Sequence, residues 1–90
     1  MAYYVLTIEQ VKGESEGTYN EYANVKKYAD QQSAEVYFYT RCSEIANAIG
    51  KTHIYGHLKI MNSLGGVIKQ DTIGTYTEEN RNVNYVSVEG

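Results

Sequence analysis

One stretch of this sequence dictates most of what the chain can become. Between Asp30 and Gly50, apolar side chains fall at Ala34, Phe38, Cys42, Ile45 and Ile49, at spacings of four, four, three and four. That rhythm gathers them on one stripe of a 3.6-residue helix. Tyr37 and Ala46 widen the stripe, while Gln32, Glu35, Ser43 and Asn47 line the other side. Asp30 suits the N-cap, where its carboxylate can accept from first-turn amides and meet the positive end of the helix. Gly50 can end the helix by turning to positive φ, and Lys51 complements the negative end. A helix over residues 31–49 would be about 28 Å long. The rest of the 90-residue chain shows no comparable period, so this helix must bury its stripe against strands.

Four strand signals supply that surface. Residues 3–12 alternate with period two: Tyr4, Leu6 and Ile8 on one parity, Tyr3, Val5, Thr7, Glu9 and Val11 on the other. Aromatic and β-branched residues in such alternation mark a strand, here with apolar residues on both faces. Residues 13–20 form a polar turn bracketed by Gly13 and Gly17. Residues 22–28 fit either a strand or the first turns of a helix. The strand is preferred because Asn24 and the tyrosines are mediocre helix formers and Asp30 is a better cap further on. Residues 53–61 place Ile54, Gly56, Leu58 and Ile60 on one face, with Tyr55, His57, Lys59 and Met61 on the other. The first set should meet the helix, with Gly56 permitting close approach or marking a bulge. Gly65-Gly66 closes a hairpin into a strand over 67–73. The tail, residues 78–90, follows the single domain 1–77 and reads as either an edge strand or a disordered end.

These pieces predict an α+β fold with two layers in β-β-α-β-β order, a small mostly antiparallel sheet with one long helix on one face. The other face would carry Tyr3, Val5 and Val11 from the first strand and Tyr55, His57, Lys59 and Met61 from the third. A solvated face is normally Thr, Lys, Glu and Ser, so an apolar and aromatic one points to burial against a partner. A second copy is the simplest partner, because closed two-fold assembly is the commonest oligomeric solution. The expectation is therefore a homodimer, with an unidentified protein partner left open.

Charge and composition bound the alternatives. Net charge is −3, with eight Lys and Arg against eleven Asp and Glu, and no basic run exceeds two residues. Backbone-driven nucleic-acid binding needs several phosphate contacts, so such a partner is not expected. Tyr3, Tyr55 and Tyr76 with Lys59 and Lys69 would be the stacking candidates for a weak single-strand or nucleotide binder. A third reading, a structural subunit of a larger assembly, is compatible with the ten tyrosines and the many Asn and Thr residues. No apolar run approaches the ~20 residues a bilayer needs. The start carries no signal-peptide pattern and Cys42 stands alone, so a reducing cytoplasmic setting without membrane association is the expectation.

Catalytic and cofactor signals are weak. Cys42 lies on the helix stripe, where an apolar setting suits a structural thiol rather than a nucleophile. His53 and His57 are four apart, but on a strand that spans about 13 Å and cannot hold one ion. Gly50-Lys51-Thr52 follows a helix where a phosphate loop would precede one. Glu9, Glu35, Glu44 and Asp71 show no spacing that brings two of them together. No cofactor, metal or catalytic activity is expected.

Overall fold

The computed structural model describes residues 1–89. It is a two-layer α+β fold, with one five-stranded sheet, mixed but mostly antiparallel, and one long helix packed on one face. In chain order the elements are β1 (Tyr3–Lys12), β2 (Tyr19–Tyr28), α1 (Gln31–Ala48), β3 (His53–Asn62), β4 (Val67–Gly74) and β5 (Arg81–Glu89). The sheet order is β4-β3-β1-β2-β5, and every pairing is antiparallel except β2 with β5. β1 is central. Residues 22–28 lie within β2, so the strand reading holds there. Gly90 and the side chains of residues 85–89, part of the expected tail, lie outside the described residues.

The helix begins as its sequence dictates. Asp30 Oδ1 accepts the Ser33 amide at 2.8 Å, and its backbone is extended. Regular helix stops at Ala48, Ile49 is the C-cap, and Gly50 takes φ 82°. Ala34, Phe38 and Ile45 are buried and join Val5, Leu58 and Ile60 in the core, with Tyr37, Cys42 and Ile49 packed around them. Ala46, expected on the stripe, is exposed. Gly56 is where the helix comes closest to the sheet. A Cβ there would lie 2.7 Å from Ile45 Cγ2, which only glycine avoids.

The strand parity of β1 runs opposite to the expectation. Val5 is fully buried beneath α1, opposite Ile60 on β3 and Lys26 on β2. Tyr3 packs against the same core, and Val11 lines a cleft with Arg41 of the helix. None of Tyr3, Val5 or Val11 belongs to the uncovered face. Both parities carry apolar residues, and the polar member of this one, Glu9, has its carboxylate paired by Arg41 of α1, so it can sit under the helix.

From β4 at one edge, the chain must cross the whole sheet to reach β5 at the other. Gly74 (φ 78°) makes the turn, and a Cβ there would fall 2.1 Å from the Ile54 carbonyl oxygen. Residues 75–80 then form a strap across one end of the uncovered face. Thr75 donates its N–H to Ile54 O at 2.9 Å, and Asn80 O accepts the Tyr19 amide at 2.9 Å.

Candidate functional site

Alternation along the three middle strands defines the face that the helix leaves open. β1 presents Tyr4, Leu6 and Ile8, with Gln10 at the end. Beside them in register stand Lys27, Val25, Ala23 and Glu21 of β2 and Met61, Lys59, His57 and Tyr55 of β3. Tyr4, Leu6, Ile8, Ala23, Val25 and Met61 are all partly exposed. Tyr55, His57, Lys59 and Met61 therefore lie where the sequence placed them. Their neighbours on β1 are Tyr4, Leu6 and Ile8, which sequence reasoning missed. Both parities of β1 carry apolar residues, with Thr7 and Glu9 on the buried one, so alternation alone did not choose between them.

Gln10, Glu21 and Tyr55 close the face at its strapped end. Gln10 is fully buried and Glu21 is 3% exposed. The Gln10 amide nitrogen donates to Glu21 Oε1 at 2.9 Å and to the Thr77 carbonyl at 2.8 Å, while its oxygen accepts the Thr77 amide at 3.0 Å. One side chain thus replaces a strand partner for the strap, which is how backbone groups crossing a sheet face stay satisfied. Tyr76 packs edge-on against Tyr55 with centroids 5.0 Å apart, and Arg81 reaches Glu21 at 3.3 Å. Tyr55 is accordingly tied into the strap and is not a free platform.

His57 occupies the middle of the open part. Its Nδ1 lies 2.8 Å from the Thr72 hydroxyl of β4. Burial, and then the charge of Lys59, hold its pKa below the ordinary imidazole value, partly offset by Asp71. His53 is turned to the opposite side, although period two alone would put it with His57. The register shifts at Gln10/Val11 opposite this strand start, and His53 also bridges in parallel to Ile49.

Beneath the helix, Glu9 holds a polar cluster that the sequence did not announce. Arg41 Nε donates to Glu9 Oε2 at 3.0 Å, and its Nη2 to Oε1. His53 Nε2 is 2.8 Å from that same Oε1, and the Thr52 hydroxyl lies 3.0 Å from His53 Nδ1. Burial pushes the Glu9 carboxyl up, but the hydrogen bonds and charges of Arg41 and His53 outweigh it and hold the group below its usual value. The chain Thr–His–Glu has the order of a nucleophile relay, but its surroundings do not serve one. The amides of Gly50, Lys51 and Thr52 are all spent on His53 O and Ala48 O, so no backbone donor remains there for an oxyanion. The cluster ties Arg41 of α1 and His53 of β3 to Glu9 of β1. Cys42 is half-buried, its thiol pushed up by burial and by Asp71, which disfavours the reactive thiolate.

No protein family, no curated protein and no solved structure matches this chain. Geometry alone therefore ranks the sites. Among the described residues no group of three or more His, Cys, Asp or Glu side chains is placed to hold a metal ion, and no helix is long and apolar enough to cross a membrane. The tyrosines and lysines considered for stacking on bases are divided between the two faces. Tyr3 packs on the core, and Lys69 lies over Tyr39 of the helix at 5.7 Å. What remains in one place is the uncovered face of Tyr4, Leu6, Ile8, Ala23, Val25 and Met61.

Proposed function

We propose that this chain is a small interaction module that acts by contact rather than catalysis, and that its open sheet face pairs with a second copy. One observation carries the reading. Over residues 4–9 of the central strand, the uncovered positions (Tyr4, Leu6, Ile8) are more apolar than the covered ones (Val5, Thr7, Glu9). Water is the worse environment for that side, and burial there would gain about 25 cal/mol for each Å² of apolar surface. A second copy supplies a matching surface at no further cost in sequence, because a two-fold interface uses the same patch twice.

The size of the patch sets the strength. Three strands by about six residues span roughly 14 Å by 20 Å, or about 300 Å² in plan for each copy. Two such footprints make a small, reversible interface rather than a permanent one.

Light scattering on the eluting protein tests this. The wild type should move from one chain mass towards two as its concentration rises from micromolar to millimolar. Ile8→Asp should remain a monomer throughout while keeping the wild-type far-ultraviolet spectrum. A wild type that stays monomeric at millimolar concentration would refute the proposal.

A further inference from the structure

The strap makes the open face asymmetric, and that asymmetry selects how two copies can meet. Residues 75–80 cross the sheet face at the end holding Tyr55, Gln10 and Glu21, whereas no described residue crosses the face at the end holding Met61, Tyr4 and Lys27. Facing sheets pack about 10 Å apart. That gap accommodates one crossing chain against a bare sheet end, but not two crossing chains stacked on each other. A two-fold axis parallel to the strands would set strap against strap. An axis across the strands sets each strap against the bare end of the other copy, β1 over β1 with the two running in opposite directions.

Charge follows the same pattern. Between its contact with Gln10 at Thr77 and its contact with Tyr19 at Asn80, the strap carries Glu78 and Glu79 over β1 and β2. Both are exposed. At the bare end of β2, opposite Tyr4, stands exposed Lys27. Reversing the strand direction brings Lys27 of each copy to Glu78 and Glu79 of the other, twice per dimer. The alternative axis would keep both Lys27 side chains at one end and all four glutamates at the other, leaving no opposite charges to pair and crowding like ones.

Resting on the face-to-face reading above, we propose that the partner is a second copy held antiparallel, with its strap seated on the bare end of the sheet and Glu78 and Glu79 pairing with Lys27 across the two-fold axis. Sedimentation equilibrium at low salt on the wild type, Lys27→Glu, the double variant Glu78→Lys/Glu79→Lys, and an equimolar mixture of the two variants tests it. Each variant alone should dimerise at least about tenfold more weakly, since each change acts twice by symmetry. The mixture should recover wild-type affinity to within about threefold, and raised salt should shrink all these differences. All three residues are exposed, so unchanged thermal melts are expected. A wild type that dimerises while both variants dimerise equally well would overturn the antiparallel arrangement and leave face-to-face pairing standing. A wild type that never dimerises would overturn both.

Discussion

The two faces of the sheet solve the same problem in opposite ways. On the covered face, α1 brings its own apolar stripe, so β1 can afford Thr7 and Glu9 there: Thr7 is 2% exposed, and Glu9 is paired by Arg41 and held by a hydrogen bond with His53. On the open face no helix arrives, yet β1 offers Tyr4, Leu6 and Ile8. Hydrophobicity along a strand therefore reports which side needs covering, not which side this chain covers by itself. Where the intramolecular layer supplies apolar surface and a counter-charge, the strand can be polar. Where that layer is missing, an apolar strand face is the feature on which the proposed pairing rests.

Substitutions that separate the faces should differ in size and in what they disturb. The largest effect is expected at Gly56→Ala. Its Cβ would press on Ile45, which is itself fully buried and has nowhere to move, and overpacking of this kind costs about 3 kcal/mol. Chemical denaturation should show that loss, and a cost below about 1 kcal/mol would mean the helix sits more loosely than described. The next test uses neighbours on one strand. Val5→Ala should cost about 2 kcal/mol of folding stability, whereas Leu6→Ala, half-exposed across the strand, should cost under about 1 kcal/mol in the dilute protein. Pairing should respond in reverse: Leu6→Ala weakens it and Val5→Ala, while folded, does not.

Acid provides the smallest and finest test. His57 on the open face has a lowered pKa, so the folded chain binds its proton less readily than the unfolded chain does. Its contribution is complete above the ordinary imidazole value of 6.5 and is lost as pH falls through the folded value. Glu9 on the covered face also has a lowered pKa, and its contribution is complete above 4.5 and lost as pH falls through its own folded value. Acidification should therefore weaken pairing first, as protonated His57 meets Lys59, and unfold the chain later. Light scattering and circular dichroism followed over one titration should show two separated transitions. A single coincident one would mean that the two faces are not independent.

Much of the fold was legible in the residues. The stripe from Ala34 to Ile49 gave one helix, Asp30 gave its start, and alternation from Ile54 to Ile60 correctly chose the side of β3 that meets it. The parity of β1 was not legible, because both of its faces are apolar and the decisive counter-charge, Arg41, is 32 positions away from Glu9. The strap was hidden for a related reason. Its anchor is the Gln10 amide acting on Thr77, 67 residues on, and neither residue has a local pattern that announces the other. The candidate face was accordingly half readable: Tyr55, His57, Lys59 and Met61 from local alternation, and Tyr4, Leu6 and Ile8 only once the helix had claimed the other side.

The most direct measurement is a dilution series followed by methyl NMR. Between millimolar and low micromolar protein, the methyl signals of Leu6, Ile8, Val25 and Met61 should shift together along a single binding curve, while those of Val5, Ile45, Leu58 and Ile60 stay in place. Signals that do not move with concentration, or that move only on the helix and its buried partners, would contradict pairing through the uncovered face.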